Sequence, residues 1–339
     1  MLKRVLAKCI EGEFLTEEEA KQVMDEIMEN RATPSQIASL LSIMRFRGET
    51  VDEMVGFVRS MKEHAITIDH NETNVLDTCG TGGDGASTFN ISTTAAIILS
   101  SLGIKVAKHG NRAVSSQSGS ADVLEKLDIE IQATPEEAAK MLAEKGMTFL
   151  FAPLYHKAMK YVAAPRKEIG FRTIFNVLGP LTNPANAKSQ LLGVFDAKIA
   201  RKMAETLKRL GSERALLVTG GDGLDEISIT TYTNVVELKD GEILEYQIQP
   251  EDFGLKRGKL EDIQVGSVEE SAQLIYEILQ GKGNETATNI VVLNAAAGLY
   301  VTGKRDSIAE AIGDVKEAIQ SGKAYEQLLR LQRRVNYVG

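Results

Sequence analysis

Apolar residues recur at helical spacing along the first part of the chain, up to about residue 65. Three threonines, Thr16, Thr33 and Thr50, each have Glu or Gln three residues later, a pairing that caps the start of a helix. The apolar stripes that follow are Ala20, Val23, Met24 and Ile27, then Ile37, Leu40, Leu41 and Met44, and then Met54, Val58 and Met61. This pattern predicts a small all-helical domain whose stripes form a core. The alternative is that part of this apolar surface builds a dimer interface.

From Asn74 onward the pattern changes to short apolar runs that alternate with amphipathic helices. The predicted strands are 75–79, 104–108, 148–151, 190–195, 215–219, 235–238 and 243–248, and the predicted helices are 92–102, 120–127, 135–145, 197–210, 268–279, 287–296, 308–321 and 324–335. Such alternation is typical of a mostly parallel sheet covered by helices. The Asp240-Gly241 pair between the last two strands predicts an antiparallel hairpin. The fold class is therefore α/β, with a small N-terminal helical domain and a large α/β domain.

Composition narrows the class of protein without changing this fold. The 339 residues are 43% hydrophobic and 25% charged, which is ordinary for a globular enzyme of about two domains. A net charge of −8 argues against a nucleic-acid partner. Cys9 and Cys79 are too few for a disulfide framework or a cysteine-rich zinc site, and charges interrupt the apolar residues of the N-terminus. We therefore expect a cytoplasmic protein with no membrane partner.

Four glycines follow the first predicted strand, at Gly80, Gly82, Gly83 and Gly85, and Ser92 opens the next helix. Glycine lets the backbone approach a ligand closely, and free N–H groups at a helix start favour phosphate. The segment matches neither the G-x-G-x-x-G fingerprint nor a P-loop. A plain tight turn explains the glycines alone equally well, but the polar residues at the helix start favour a phosphate site.

Basic and polar side chains follow the second predicted strand, in the segment 108–122. The segment contains Lys108, His109 and Arg112 together with several hydroxyls and amides. In open α/β sheets ligands bind at the carboxyl ends of the strands, so this loop and the glycine-rich loop belong to one edge. The two loops predict a site for a phosphorylated substrate. The alternative is a solvated surface loop.

A third predicted strand end, at 219–228, carries glycines and then the adjacent acids Asp225 and Glu226. Carboxylate oxygens suit Mg²⁺, which usually keeps several waters and shares a phosphate ligand. Adjacent acids on a surface turn are common, so the pair alone is weak evidence. Beside two phosphate-type loops, the pair predicts a magnesium site.

Five segments, in this order along the chain, resemble the anthranilate phosphoribosyltransferase family, which has the nucleoside phosphorylase/phosphoribosyltransferase fold. They are Gly-Thr-Gly-Gly-Asp at 80–84, Asn-Ile-Ser-Thr at 90–93, Lys-His-Gly-Asn-Arg at 108–112, Asn-Val-Leu-Gly-Pro-Leu-Thr-Asn-Pro at 176–184 and Asp-Glu at 225–226. The resemblance runs over almost the whole chain. It implies a helical domain at 1–70, joined by a returning segment near 166–184, and a catalytic domain at 71–339. It also implies a homodimer formed through the helical domains.

The resemblance implies transfer of the phosphoribosyl group of phosphoribosyl pyrophosphate (PRPP) to anthranilate, in tryptophan biosynthesis. The residues implied to bind PRPP are Gly80, Gly83, Asp84, Thr88, Asn90, Ile91, Ser92, Thr93, Lys108, His109, Gly110, Asn111, Arg112, Ala113, Val114, Ser115, Ser116 and Ser120. Within this set the implied catalytic residues are Lys108, His109 and Arg112. Among them, His109 is a candidate proton shuttle rather than the base.

The implied cofactor is Mg²⁺, with two ions per active site. The residues implied to hold it are Ser92, Asp225 and Glu226. The residues implied to contact anthranilate are Gly80, Asn111 and Arg166. Arg166 would meet the carboxylate of anthranilate, because a guanidinium fork fits a carboxylate bidentately.

The chain departs from the family pattern just before Arg166. It reads His156-Lys157 where the family commonly has His-Pro, and Ala-Ala-Pro-Arg at 163–166 where Gly-Pro-x-Arg is usual. Because a proline biases the preceding residue away from helical geometry, Pro165 predicts extended backbone at Ala164.

Two rival functions stay open at the level of the sequence. One is a pyrimidine nucleoside phosphorylase of the same fold class, and the other is a non-catalytic homologue that binds nucleotide or nucleic acid. The acid pair Asp225-Glu226 argues against the phosphorylase, which has less need of a metal pair. Magnesium dependence of turnover separates the phosphorylase from the phosphoribosyltransferase, and PRPP binding without turnover of any aromatic amine would indicate the non-catalytic homologue.

Overall fold

In a computed structural model that describes residues 1–113 and 117–333, the chain begins with four helices. They are α1 (Leu2–Ile10), α2 (Glu17–Met28), α3 (Pro34–Arg47) and α4 (Val51–Glu63). Thr16, Thr33 and Thr50 each accept a bond from the N–H three residues later, and the side chain there accepts the threonine N–H in return. The three capping boxes are therefore confirmed. Helix α1 was not predicted, since no such cap precedes it.

The apolar stripes of these helices form a buried core, as predicted. Helix α2 packs along α4. Gly56 makes this close packing possible, because a Cβ at this position would overlap the carbonyl oxygen of Glu17 and the side chain of Ala20. Any larger residue at 56 would push the two helices apart.

The large domain is built on one sheet, which has seven strands within the described residues. The strands are β1 (Val75–Gly80), β2 (Lys105–Gly110), β3 (Met147–Phe151), β4 (Ser189–Gly193), β5 (Arg214–Gly220), β6 (Thr233–Lys239) and β7 (Glu242–Ile248). Their order is β3-β2-β1-β4-β5-β6-β7, and β1 to β5 run parallel. Strands β6 and β7 form the predicted antiparallel hairpin, in which Asp240 and Gly241 both take positive φ.

Helices cover both faces of this sheet, with two exceptions. The helices after β1 are α5 (Ile91–Ser101), α6 (Ser120–Lys126), α7 (Pro135–Lys145), α8 (Ala152–Tyr155), α9 (Lys160–Ile169), α10 (Phe175–Leu178), α11 (Ala197–Arg209), α12 (Val268–Leu279), α13 (Glu285–Val301), α14 (Ile308–Gln320) and α15 (Lys323–Leu331). The exceptions are α9 and α10, which pack against the N-terminal helices. Most agree closely with the predictions, although α13 extends beyond 287–296 at both ends. The last two residues of the predicted helix 324–335 lie outside the described residues. No helix in the described ranges is long and apolar enough to cross a membrane.

The two faces of the sheet belong to two different cores. On β5, Leu216 packs into the core with α5 and α13, whereas the next residue, Leu217, packs into the core with α11 and the N-terminal helices. This alternation follows from the two-residue period of a strand. The helical domain and the α/β domain therefore share one continuous apolar cluster.

The segment after β3 returns to the helical domain. Helix α9 packs against α3, and α10 packs against α4. The predicted extended backbone at Ala164 is wrong, because Pro165 lies inside α9. Val162 and Pro165 are both buried, and this packing offsets the backbone hydrogen bond that a proline cannot donate.

Candidate active site

The three loops singled out in the sequence meet at the carboxyl ends of β1, β2 and β5. Lys108, near the end of β2, donates from Nζ to the hydroxyl of Ser92 at 3.1 Å. The N–H of Ser92, in the first turn of α5, donates to Oε1 of Glu226 at 3.1 Å. Residues from the three loops thus form one hydrogen-bonded group, as expected from the parallel arrangement of these strands.

Asp225 lies against the ends of strands β1 and β4. The N–H of Gly82 donates to Oδ2 of Asp225 at 2.7 Å. A Cβ at Gly80 would crowd the Asp225 carboxylate, and a Cβ at Gly193 would overlap the Asp225 backbone. Glycine at both strand ends therefore allows the loop from 221 to 232, called the acid loop because it carries Asp225 and Glu226, to reach the glycine-rich loop.

Burial and nearby carboxylates disfavour the ionised form of both acids. Burial and the nearby Asp84 raise the pKa of Asp225 to about 7. Burial and the neighbouring Asp225 raise the pKa of Glu226 to about 8. Each side chain keeps part of its surface accessible, so a cation can still reach the pair. One N–H donor per carboxylate and the single charge of Lys108 do not neutralise Asp84, Asp225 and Glu226, so the site favours either protons or a further cation.

These raised pKa values predict how the stability of the metal-free protein depends on pH. Carboxyls of the unfolded chain lose their protons near pH 4, whereas the folded pair keeps them up to about pH 7 to 8. The folded state binds more protons in this window, so the pair lowers stability progressively as the pH rises through it. We expect the melting temperature of Asp225→Asn/Glu226→Gln, relative to the parent, to rise by several degrees between about pH 5 and about pH 8. Scanning calorimetry without divalent ions checks this, and a constant difference would contradict it.

Lys108 is a buried cation beneath the first turn of α5, with 2% of its surface exposed. Its ammonium donates to the carbonyl of Thr78 and to the hydroxyl of Ser92. Burial lowers the pKa of Lys108, while Asp77 and the acid pair act in the opposite direction. The structure thus places this cation beside the acid pair and under the glycine-rich loop.

His109 is a buried, neutral imidazole next to a second histidine. Its backbone N–H donates to Oδ1 of the buried Asp77 at 3.1 Å, and its ring centroid lies 5.1 Å from that of His156. Burial and the neighbouring His156 lower the pKa of His109 to about 3, and burial lowers the pKa of His156 to about 4. Both Nε2 atoms are buried without a hydrogen-bond partner among the described residues. Buried polar atoms of this kind are normally satisfied by water or a ligand.

Arg112 pairs with acids of α6. Its Nη1 lies 2.9 Å from Oδ1 of Asp122 and 2.6 Å from Oε2 of Glu125. Nη2 also donates to Oε1 of Glu125 at 2.9 Å, so the Glu125 pair is bidentate. Because the side chain of Arg112 is 43% exposed, solvent screens these ion pairs and they can exchange. Arg112 would have to leave these partners in order to meet a phosphate.

The segment 108–122, which contains Lys108, His109 and Arg112, is called the basic loop. Beyond Arg112 it folds back on the end of β2. The hydroxyl of Ser120 donates to the carbonyl of Asn111 at 3.2 Å, and the Ala113 N–H donates to Asp122 at 2.9 Å. A Cβ at Gly110, the last residue of β2, would overlap Ser120. Glycine is thus required where the loop closes. The predicted residues Val114, Ser115 and Ser116 lie outside the described residues.

Asn90 precedes α5 but does not cap it with its side chain. Its Oδ1 accepts from the hydroxyls of Ser118 and Ser271 at 2.6 and 2.8 Å. Ile91 and Thr93 are buried in the first turn of α5. Asn90 therefore ties the glycine-rich loop to the basic loop and to α12.

The remaining predicted residues of the glycine-rich loop lie between β1 and Asn90. Gly83 takes positive φ, and Oδ1 of Asp84 accepts the Ala86 N–H at 3.1 Å. Thr88 forms an isolated antiparallel bridge with Gln264. These contacts order both ends of the loop around its glycines.

Two arginines of the returning segment lie in different places. Arg166, on α9, is half-buried with its guanidinium 5.5 Å from the ring centroid of Phe175, and burial lowers its pKa. Arg172 donates to the carbonyl of Gly83 and lies 4.5 Å from the ring centroid of Phe195. Within residues 1–113 and 117–333, Arg166 has no hydrogen bond to another predicted site residue. Arg172, in contrast, touches the glycine-rich loop.

The donor set at the acid pair is suited to one kind of metal. In the part of the chain that the structure describes, no three His, Cys, Asp or Glu side chains converge as a metal cage. Two carboxylates and the Ser92 hydroxyl form only a partial set. Mg²⁺ usually takes one or two carboxylates and completes its shell with waters and substrate phosphates. The residues therefore fit Mg²⁺ that binds together with a phosphorylated substrate.

Three residues that lie near the phosphate site were not predicted to belong to it. They are Asp77, His156 and Arg172. Asp77 was detectable as an acid within an apolar strand. The other two are distant in sequence from the residues that they contact, so no local pattern reveals their roles.

Both domains match known families. Residues 3–65 match the helical bundle domain of the glycosyl transferase family, and residues 72–325 match its a/b domain. Together with the acid pair at the strand ends, these matches define the class of the protein as a glycosyltransferase.

Individual relatives narrow the class. The chain is 62% identical to anthranilate phosphoribosyltransferase of Geobacillus sp. (strain WCH70), over 98% of both chains. The crystal structure of the Thermus thermophilus enzyme of this name superposes with a TM-score of 0.91 at 43% identity, covering 96% of this chain and 97% of that one. The Saccharomyces cerevisiae enzyme in complex with PRPP and Mg gives a TM-score of 0.88 at 28% identity, with coverage of 97% and 96%. The chain belongs to the anthranilate phosphoribosyltransferase family and is a pentosyltransferase.

Proposed function

We propose that this site transfers the phosphoribosyl group of PRPP to anthranilate, giving N-(5-phosphoribosyl)anthranilate and pyrophosphate, in tryptophan biosynthesis. The observation that carries the proposal is the hydrogen-bonded group of Lys108, Ser92 and Glu226 beside Asp225. It joins a buried cation, a helix start and a pair of acids at the ends of parallel strands. The yeast relative in complex with PRPP and Mg supports the same substrate and metal.

PRPP binds in this proposal along the glycine-rich loop and the start of α5. Gly82, Gly83 and Gly85 take positive φ, a backbone geometry that turns successive N–H groups towards an anion. The proposed contacts in this loop are Gly80, Gly83, Asp84, Thr88, Asn90, Ile91, Ser92 and Thr93. The contacts that complete the site are Lys108, His109, Gly110, Asn111, Arg112, Ala113, Val114, Ser115, Ser116 and Ser120. Arg112 reaches the phosphate by exchanging its exposed acidic partners.

Ser92, Asp225 and Glu226 would hold Mg²⁺, with two ions per active site. When bound, Mg²⁺ neutralises negative charge on the departing pyrophosphate. The Gly82 and Ser92 N–H groups fix one oxygen of each carboxylate, so the remaining oxygens are oriented before a ligand arrives. This preorganisation supports catalysis because no reorganisation is needed during the reaction.

In the proposed reaction the bond from C1 of the ribose to pyrophosphate breaks while the anthranilate nitrogen bonds to C1, with inversion. Lys108 stabilises the charge of the leaving group, and after attack the nitrogen releases its proton to water or to the departing pyrophosphate. The amine is neutral at pH 7, so correct placement supplies much of the rate without a strong base. His109, with a pKa of about 3, acts as a neutral hydrogen-bonding group or passes a proton, and is not the base.

The proposed acceptor contacts are Gly80, Asn111 and Arg166. Anthranilate is planar and carries a carboxylate beside its amine, so it needs a cation next to an apolar slot. Arg166 offers the cation, and its guanidinium lies 5.5 Å from the centroid of the buried Phe175 ring. The Arg166 guanidinium is half-buried, which strengthens its bond to a carboxylate relative to a solvated pair.

Arg166→Ala is expected to raise the KM for anthranilate by about tenfold to a hundredfold, because a charge-assisted hydrogen bond is lost. PRPP binding should be nearly unaltered. Steady-state kinetics on Arg166→Ala, Lys167→Ala and Arg172→Ala checks this. Lys167 is exposed and serves as the matched control, whereas Arg172→Ala should affect PRPP, since Arg172 contacts Gly83. An anthranilate-specific defect in Lys167→Ala or Arg172→Ala, with Arg166→Ala like the parent, would overturn the assignment.

A fluorescence assay of anthranilate consumption tests the proposed reaction as a whole. Anthranilate should disappear only when PRPP and Mg²⁺ are both present. Phosphorolysis of a pyrimidine nucleoside by inorganic phosphate, without any use of PRPP, would instead support the phosphorylase alternative. PRPP binding without turnover of any aromatic amine would support a non-catalytic homologue.

The homodimer is also proposed, through the helical domain. Large apolar side chains on and beside α1 and α3 are exposed: Ile10 by 71%, Phe14 by 48% and Phe46 by 95%. Exposed apolar patches on helices commonly mark protein interfaces. Phe46→Glu is expected to convert the dimer to a monomer in light scattering, whereas Leu329→Glu, an exposed apolar site on α15, should not. Equal masses for Phe46→Glu and the parent would contradict this interface.

The domain limits follow from the same proposal. The helical domain covers 1–70 and is joined by the returning segment near 166–184, and the catalytic domain covers 71–339. Packing of α9 and α10 against α3 and α4 supports this division. We also propose a cytoplasmic location, in line with the biosynthetic role.

A further inference from the structure

Asn294 is a polar residue in the middle of an apolar helix. It lies on α13, where Val291, Val292, Leu293 and Ala295 are all buried, and its own side chain is fully buried. A buried amide is costly unless its hydrogen bonds are made, so an apolar residue would suit this helix better on packing alone.

The carboxamide of Asn294 holds one residue of the acid loop from both sides. Its Oδ1 accepts the N–H of Ile227 at 3.0 Å, and its Nδ2 donates to the carbonyl of Ile227 at 3.0 Å. Nδ2 also donates to the carbonyl of Ile290 at 2.9 Å. The Asn294 side chain therefore makes, for Ile227 alone, the two backbone hydrogen bonds that a neighbouring strand would make.

Ile227 directly follows Asp225 and Glu226. The loop from 221 to 232 is irregular, so it has no continuous strand or helix ladder to hold its backbone. The carboxylate of Glu226 accepts a hydrogen bond from the Ser92 N–H. The next residue in the chain, Ile227, is held by Asn294. The acids are thus located from α5 on one side and from α13 on the other.

We infer that Asn294 is a positioning residue for the metal-binding acids, acting through the Ile227 backbone without touching substrate. The inference rests on the proposed role of Asp225 and Glu226 in holding the metal. Residues that orient metal ligands usually affect metal affinity by about 10-fold to 100-fold. Asn294 therefore acts on binding of the divalent ion with pyrophosphate, and has little effect on the acceptor.

The test compares Asn294→Leu with Gln327→Met. Gln327 is a buried amide on α15 that donates to Ser100 and to the Lys145 carbonyl, so its replacement removes the same kind of bond away from the acid loop. Mn²⁺ binding in the presence of pyrophosphate is measured by electron paramagnetic resonance, and melting temperatures are recorded for both variants.

Asn294→Leu is expected to weaken Mn²⁺ binding by about tenfold or more, while the anthranilate KM changes by less than about twofold. Gln327→Met should lower the melting temperature with unchanged Mn²⁺ binding. Parent-like Mn²⁺ binding by Asn294→Leu, or an equal change in both variants, would overturn the inference. If Asn294→Leu does not fold, Asn294→Ser enters the same assay, because a short hydroxyl cannot span both backbone groups of Ile227.

Failure of the proposed function is distinguishable in the same experiment. Glu226→Gln should lose Mn²⁺ binding if the acid pair holds the metal. If Glu226→Gln binds Mn²⁺ like the parent, the proposed metal site itself fails, and the role of Asn294 fails with it. If Glu226→Gln loses binding and Asn294→Leu does not, only the inference about Asn294 fails.

Discussion

Replacing Asp225 and Glu226 by Asn and Gln lowers turnover on the order of a hundredfold to a thousandfold at limiting Mg²⁺, with the fold intact. Loss of one preorganised electrostatic group at a developing charge costs enzymes about this much. The amides keep the size of the acids but cannot balance a divalent ion. Steady-state rates over a Mg²⁺ titration, with melting curves for both proteins, measure the effect.

The matched control for this double variant is Glu213→Gln/Asp240→Asn. Both residues are exposed, and the control changes the net charge by the same two units. Asp240 takes positive φ, a conformation that Asn tolerates well, so the hairpin is preserved. The control should keep the parent's rate and Mg²⁺ dependence. A parent-like rate for Asp225→Asn/Glu226→Gln would remove the acid pair from the mechanism.

Lys108→Ala is expected to weaken PRPP binding by about tenfold to a hundredfold, because a charge-assisted interaction with phosphate is lost. The variant also leaves the Thr78 carbonyl and the Ser92 hydroxyl without their donor, so a modest loss of stability accompanies it. Isothermal titration calorimetry with PRPP and Mg²⁺ measures the binding, and thermal melts measure the stability.

Lys105→Ala is the control for this prediction. Lys105 lies at the opposite end of β2 and donates to the carbonyls of Leu142 and Ala143. Its loss should leave PRPP affinity unchanged. If Lys108→Ala binds PRPP like the parent but melts earlier, Lys108 only supports the core beneath α5, and the proposed phosphate role is wrong.

Much of the fold was predictable because its signals are local. A capping box spans only four residues, so Thr16, Thr33 and Thr50 each marked a helix start correctly. The Asp240-Gly241 turn is equally local, because its positive φ values select those residues. Alternation of strands and helices then implied parallel pairing and a common edge for the loops.

The strand order and the contacts across the site were not predictable in this way. Nothing local in β4 states that it pairs with β1, from which it is separated by two other strands in the chain. The proximity of His109 to His156 and the contact of Arg172 with Gly83 likewise depend on the path of the returning segment. Pro165 is a case in which a local signal gave a wrong prediction. Its preference for extended backbone at Ala164 is overridden by tertiary packing, so Pro165 lies inside α9.

The most direct measurement of the central claim is a phosphorus and proton NMR experiment on the complete reaction. The parent protein with PRPP, Mg²⁺ and anthranilate should form pyrophosphate and N-(5-phosphoribosyl)anthranilate in equal amounts, with inverted configuration at C1. Omission of Mg²⁺, or use of Asp225→Asn/Glu226→Gln, should suppress both signals together. Pyrophosphate release without a ribosylated amine, or full product formation without a divalent ion, would contradict the account.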